Sequence, residues 1–280
     1  MLAYRHLFHA GAYADVFKHC LLQGLLVSLA KKDKPFFYLD THAGIGRYDL
    51  SHAWAQKNRE FENGIGRLWE RSDLPPPMRF YIEQVRIENP DKRLRYYPGS
   101  PLLARRLMRS DDRMVLTELN KDDCAALTTL FAHDRNVQVR YMDGYQALKA
   151  FLPPPERRGL VLIDSSFDRA KEFARIVEAL TVAYKRWATG MFAIWYPLME
   201  TNAMIAFERQ IVATSIRKIL KLEFAIEADD WTLTMRGCGM LVINPPWRFD
   251  KEAGALLDWL WPVLSSKGKG SGSVNWLVRE

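Results

Sequence analysis

Short apolar runs that end in an acid or another polar residue recur along this chain, and stretches with helical spacing separate them. The runs are Phe36 to Leu39, Met114 to Leu116, Val137 to Tyr141 and Leu160 to Ile163, then Met191 to Tyr196, Leu220 to Ile226, Met240 to Ile243 and Val274 to Val278. That alternation is the pattern of βαβ units, and it predicts an α/β fold with a mainly parallel sheet flanked by helices. In such sheets ligands bind beyond the carboxyl ends of the strands. The residues to interrogate are therefore those just past the first four runs: Asp40, Glu118, Asp143 and Asp164.

The spacing of these acids is uneven. Glu118 to Asp143 and Asp143 to Asp164 each span one βαβ repeat, whereas Asp40 to Glu118 is several times longer. An insertion between the first two strands accounts for the excess. Within Arg47 to Tyr97, the Pro75-Pro76-Pro77 breaker separates apolar sets (Phe61, Ile65, Leu68, Trp69; Phe80, Ile82, Val85) that suit short helices. The expected organisation is a main domain of residues 1–46 and 98–280, with a small helical insertion at 47–97. A chain of 280 residues is long enough for one such domain with its own core.

Composition narrows the surroundings. Cys20, Cys124 and Cys238 are an odd number, lie far apart and form no C-x-x-C pair, so neither a disulfide framework nor a zinc ribbon is indicated. His6, His9 and His19 have no carboxylate or cysteine at ligand spacing, and no metal is expected. No window approaches the roughly 18 uninterrupted apolar residues of a membrane span, and the N-terminal segment lacks a signal-peptide core. A cytoplasmic protein without a membrane partner is expected, acting as a monomer. The net charge of +7 favours an anionic partner. Basic residues gather at Arg86, Lys92, Arg93 and Arg95, at Arg105, Arg106 and Arg109, and again at Lys185, Arg186, Arg217, Lys218 and Lys221.

After the first run, YLDTHAGIGRY brings Asp40, His42, Gly44 and Gly46 to a strand-to-turn junction. Glycine allows positive φ and close backbone approach to a ligand. Arg47 and Tyr48 stand where the third glycine of a dinucleotide fingerprint would be, which argues against NAD. The D-x-H-A-G-x-G form resembles motif I of S-adenosylmethionine-dependent methyltransferases. Such an enzyme needs an acid after its second strand to hold the ribose hydroxyls, because a carboxylate can accept from both. It also needs a polar residue after the third strand, facing the adenine amine. Glu118 in VLTEL and Asp143-Gly144 in YMDGY answer these needs. The same acids can serve as caps for the helices that follow.

The opening MLAYRHLFHAGAYADVFKH, together with LDTHAG, YYPGSP and the segment around Asp164, is similar to the RlmJ family. Members of that family methylate N6 of an adenine in 23S ribosomal RNA, and the similarity runs from MLAYRH to VNWLV. The resemblance implies a Rossmann-like class I methyltransferase with S-adenosyl-L-methionine as cofactor and 23S ribosomal RNA as partner. It implies that Lys18 and His19 contact the cofactor's methionine end and that Tyr4 stands at the substrate mouth. It also implies that His42, Ser100, Glu118, Asp143, Gly144 and Asp164 are cofactor or catalytic contacts. Ser100-Pro101 has in addition the form of an N-cap serine followed by proline in the first turn.

In the family the fourth strand ends in D-P-P-Y, whose Asp and a proline carbonyl accept the amine hydrogens while the aromatic stacks on the base. Here the stretch reads Asp164-Ser165-Ser166-Phe167. Asp164 keeps the acceptor and Phe167 the stacking face, but two serines replace the prolines that restrain the turn. Their hydroxyls can compete for the Asp164 carboxylate. Two alternatives to an active enzyme follow: a catalytically impaired relative that retains cofactor and RNA binding, and a DNA-binding protein linked to uptake or catabolism of external DNA. Asn244-Pro245-Pro246-Trp247 also has an N-P-P-aromatic form, but it follows a much later strand and is expected to be a structural strand end.

Overall fold

All eight apolar runs form strands of one sheet, with ends displaced by no more than three residues. The computed structural model describes residues 5–167, 172–227, 235–265 and 269–280. Helix α1 (Tyr13–Ala30) leads into β1 (Phe37–Asp40). The long connection that follows holds β2 (Arg47–Asp49), α2 (Ala53–Asn58), α3 (Gly66–Trp69), α4 (Pro76–Ile87) and β3 (Tyr96–Pro98). Next come α5 (Ser100–Leu107), β4 (Arg113–Glu118), α6 (Lys121–Leu130), β5 (Val137–Tyr141), α7 (Gly144–Phe151) and β6 (Gly159–Ile163). The remainder comprises α8 (Glu172–Arg186), β7 (Met191–Leu198), α9 (Thr201–Ala213), β8 (Ile219–Ala225), β9 (Gly237–Ile243), α10 (Phe249–Leu264) and β10 (Gly272–Val278).

The sheet order is β10-β8-β9-β7-β6-β1-β4-β5. Strands β5 to β7 are parallel, β9 runs antiparallel to both β7 and β8, and β10 antiparallel to β8. This is the Rossmann-like arrangement of class I methyltransferases, extended by β10. The chain moves from β1 outward through β4 to β5, then returns to β6 on the other side of β1. That reversal opens a crevice beyond the carboxyl ends of the central strands.

Both faces of the sheet are covered, and the period of two along each strand sorts side chains between them. Tyr38, Met114, Leu116, Leu160 and Leu162 pack on the side of α1, α5 and α10. Phe37, Leu39, Val115, Val161 and Ile163 pack on the side of α7, α8 and α9. Helix α1 is buried on most sides, against α4, α5 and α10 as well as the sheet. Its Leu21, Leu22, Leu25 and Leu26 are each at most 1% exposed. Such burial stabilises by about 1.5–3 kcal/mol per side chain.

The region between Arg47 and Tyr97 holds α2, α3 and α4, and its two ends pair as an antiparallel ribbon that periodicity did not reveal. Tyr48 lies opposite Tyr97 in that ribbon. Each strand has only three residues, too few to display an alternation. Ile65, Leu68, Met78, Tyr81, Ile82 and Val85 of this region belong to the same apolar core as α1.

Gly144 opens α7 directly against the end of β1, and a Cβ there would stand 2.1 Å from the carbonyl oxygen of Thr41. Gly144→Ala is therefore expected to destabilise the fold by about 1–3 kcal/mol through forced separation of the two segments. Urea unfolding reads this directly; an unchanged midpoint would contradict the close approach.

Candidate active site

A cavity lies over the carboxyl ends of the central strands. Lys18, His19, His42, Gly44, Ser100, Glu118, Asp143, Gly144 and Asp164 all line it, so the structure brings these sequence-selected residues together. Phe167 is not among the lining residues. Its backbone has φ 53°, and its ring packs against Phe173 at 4.9 Å and Trp195 at 5.9 Å. Tyr4 lies outside the described residues.

The glycine turn has the geometry its composition requires: φ is 61° at Gly44 and 75° at Gly46. The Gly44 N–H donates to Glu118 Oε2 at 2.9 Å, and the Asn120 N–H donates to Oε1 at 2.7 Å. Burial raises the Glu118 pKa, against the opposing pull of these amides. An ionised carboxylate has about four acceptor sites, so both oxygens retain capacity for ligand hydroxyls.

Asp40 plays a different part from the other strand-end acids. It is fully buried behind the cavity and accepts from Ser100 Oγ at 2.7 Å, Tyr38 OH at 3.1 Å and the His42 N–H at 3.3 Å. Burial, only partly offset by these hydrogen bonds, pushes its pKa up to about 6. Ser100 does not cap its helix as expected. Gly99 occupies the N-cap position, and the Ser100 hydroxyl serves Asp40 instead. The His42 ring meets Thr41 Oγ1 at 2.8 Å and the edge of Tyr145 at 5.4 Å between centroids. Burial lowers its pKa and favours the neutral imidazole.

Asp143 combines capping with exposure to the cavity. One oxygen accepts the Tyr145 and Gln146 amides of α7, at 2.8 and 3.3 Å, and the other faces Arg175 at 3.5 Å.

From the opposite wall, α1 contributes Lys18, whose side chain is 5% exposed. Its ammonium bridges Asp164 Oδ2 at 2.6 Å and Asp15 Oδ1 at 2.8 Å. Burial alone disfavours the charged lysine, but the two carboxylates outweigh it and raise the pKa well above the ordinary value. Asp15 also receives the Gly11 N–H at 3.0 Å and the His6 ring at 2.9 Å. Neighbouring His19 is held through Nδ1 by Tyr97 OH at 2.8 Å, while its Nε2 is buried with no partner among the described residues. Burial pushes its pKa down to about 3, so the imidazole is neutral.

Ser165 does not compete for the Asp164 carboxylate. Ser165 turns its hydroxyl to Glu172, leaving the Asp164 carboxylate to Lys18. Asn244 of the N-P-P-W segment is a clamp: its amide donates to the carbonyls of Ala188 and Gly190 at 2.9 and 2.8 Å. Because β9 is antiparallel, Ile243 pairs with Phe192 at the start of β7, which puts Asn244 at the sheet edge opposite the cavity.

Several arginines marked for phosphate are occupied in the fold. Arg95 pairs with Asp49, Arg105 with Asp134, Arg106 with Glu88 and Arg109 with Asp112. A cluster that the sequence did not reveal stands near the cavity mouth. Trp54, 41% exposed, stacks on Phe8 at 5.5 Å; Arg5 lies over Trp54 and Lys57 over Phe8. Arg5 also pairs with Asp123, a cavity-lining residue. Asp15, Tyr145, Glu172 and Arg175 were likewise unmarked. An acid and a lysine three positions apart in an apolar helix were the available signal for Asp15.

Residues 33–278 match the family model described as ribosomal RNA large subunit methyltransferase D, RlmJ. Ribosomal RNA large subunit methyltransferase J of Escherichia coli strain K12 is 44% identical over 280 residues, covering 100% of both chains. The protein of the same name from Haemophilus influenzae is 46% identical over 281 residues, again with 100% coverage of both. The crystal structure of protein LPL1258 from Legionella pneumophila is similar with a TM-score of 0.89 and 38% identity, over 96% of this chain and 98% of that one.

The buried Asp40 predicts a pH signature. Its pKa is about 6 in the fold against 3.8 as a free side chain, so between these values the folded state binds the proton that the unfolded state has lost. The associated stability is present below the lower value and disappears as pH rises through the upper one. Relative to Asp40→Asn, the wild type is expected to lose about 2 kcal/mol from pH ~4 to pH ~7. Denaturant midpoints of both proteins across that range test this; a difference that stays flat would contradict it.

Proposed function

The chain belongs to the RlmJ family of ribosomal RNA large subunit methyltransferases, and from that premise we propose that it methylates N6 of an adenine in 23S ribosomal RNA. The methyl donor is S-adenosyl-L-methionine. The observation that carries the proposal is the convergence of Glu118, Asp143 and Asp164, from three successive strand ends, on one cavity beside the glycine turn.

The residues present fit the cofactor. Glu118 has spare acceptor sites for ribose hydroxyls, Gly44 leaves the backbone open beside it, and Asp143 with Gly144 is placed to face the adenine. Lys18 and the Nε2 of His19, unpartnered among the described residues, offer polar contacts at the methionine end, with Ser100 and His42 also lining the cavity. When bound, S-adenosylmethionine supplies an electrophilic methyl group on a sulfonium centre.

The adenine amine is a poor nucleophile because its lone pair is delocalised into the ring. Asp164 accepts one amine hydrogen and a backbone carbonyl of the Ser165-Ser166 turn accepts the other, which turns the lone pair towards the methyl group. Positioning of this kind is where most of the rate arises. Lys18 fixes the direction of the Asp164 carboxylate. The base must leave the RNA stack to enter the cavity, and Phe167 stacks on it once its ring turns from Phe173 and Trp195 towards the mouth. Residues 47–97 act as an insertion on a main domain of 1–46 and 98–280. Together with Arg5 and Phe8, which pack against their Trp54 and Lys57, they guide the RNA to the mouth by phosphate pairing and stacking. The comparisons lend no support to a role in DNA uptake.

Methyl incorporation into unmodified 23S RNA tests the proposal, with duplex DNA as the competing substrate. The wild type is expected to label an adenine of the RNA at N6, and Asp164→Ala to lose at least about 100-fold in rate. Preference for DNA, or an undiminished Asp164→Ala variant, would overturn it. Cofactor binding without incorporation would instead favour the catalytically impaired relative.

A further inference from the structure

We propose that Glu172 is a positioning residue for methyl transfer, holding the Asp164-Ser165-Ser166-Phe167 turn in place of the prolines that the family pattern carries there. The inference deepens the functional reading above and rests on it. Ser165 is 5% exposed and follows Asp164 directly. Its hydroxyl donates to Glu172 Oε1 at 2.5 Å, across seven positions of chain. Tyr145 OH donates to the same oxygen at 2.6 Å, and Arg175 Nη1 meets Oε2 at 3.1 Å. Arg175 then reaches Asp143 Oδ2 at 3.5 Å and lies over the Tyr145 ring at 4.7 Å.

The physical case starts from what proline does. A proline restrains the chain by its own ring, in the folded and the unfolded state alike. A serine turn lacks that restraint and holds one geometry only if the surroundings impose it. A buried carboxylate that accepts from three donors is suited to the task, since charge-assisted hydrogen bonds are short and strong. Glu172 is 4% exposed and opens α8, so the turn is anchored to a rigid element. Burial disfavours its charge, but the Ser165 and Tyr145 hydroxyls and Arg175 outweigh this and lower its pKa, which keeps the acceptor ionised. Through Arg175 the same carboxylate is linked to Asp143. The amine acceptor and the cofactor's adenine end are thereby held by one network. Glu172 itself holds rather than reacts, because both of its oxygens are engaged.

The decisive experiment compares Glu172→Ala in two backgrounds, one with Ser165 and one with Ser165→Pro. In the Ser165 background kcat is expected to fall at least about tenfold, while KM for S-adenosylmethionine moves less than about threefold. In the Ser165→Pro background the same substitution is expected to lower kcat less than about threefold, because the ring replaces the carboxylate. Equal losses in both backgrounds, or no loss in the first, would overturn the proposal. Amide hydrogen exchange of residues 160–167, measured without RNA, provides a readout independent of activity. It should accelerate in Glu172→Ala and return towards the wild-type rate in the double variant; unaltered exchange would also overturn the proposal. Should the wild type transfer no methyl group, the functional reading fails while the exchange comparison still judges Glu172. If Glu172→Ala does not fold, Glu172→Gln retains the volume and one acceptor, and the same comparison is made with a smaller expected effect.

Discussion

A single buried ammonium ties this molecule together at its functional end. Lys18 reaches from α1 to Asp164 across 146 positions of chain, and to Asp15 one turn back along its own helix. A lysine almost never enters a protein interior without partners, and here two carboxylates outweigh the cost of burial and keep it charged. Truncating one member of such a set leaves an uncompensated buried charge, which is why the group behaves as a unit. Asp15 extends the unit to the segment before α1, through the His6 ring and the Gly11 amide. The N-terminal segment and the fourth strand end therefore share one electrostatic anchor.

Much of this was legible in the sequence, and the reasons are local. The central strands declared themselves because they are buried on both faces and read as nearly continuous apolar runs, unlike the half-exposed edge strands β5 and β10. The acids Glu118, Asp143 and Asp164 were legible because each follows such a run, and in a parallel sheet the strand ends point to one edge. The chain's own direction was harder. Asn244-Pro245-Pro246-Trp247 resembles a motif, yet β9 is antiparallel and delivers it to the far edge. Hydrophobic pattern carries no information on strand direction.

Partnerships between distant side chains were not legible. Ser100 has the form of a helix cap, but a buried carboxylate 60 positions away takes its hydroxyl. Glu172, Tyr145 and Arg175 come from two helices whose inward-facing residues no spacing rule singles out. The arginines of the insertion and of the helix after it looked like phosphate ligands, and Arg95, Arg105, Arg106 and Arg109 proved to be committed to ion pairs within the fold. Departure from the proline pattern was visible, whereas the means by which the turn is held became apparent only from the Ser165 to Glu172 contact. A turn can be restrained by covalent structure or by buried hydrogen bonds, and the second solution depends on atoms remote in sequence.

The central claim is that the glycine turn and the strand-end acids form one cofactor site ending at Asp164. The most direct measurement is a crystal structure with S-adenosylhomocysteine bound. The account predicts the ribose hydroxyls on Glu118, the adenine beside Asp143 and Gly144, and the sulfur end directed to Asp164 near Lys18 and His19. A nucleoside bound away from Gly44, or bound with its ribose clear of Glu118, would contradict it.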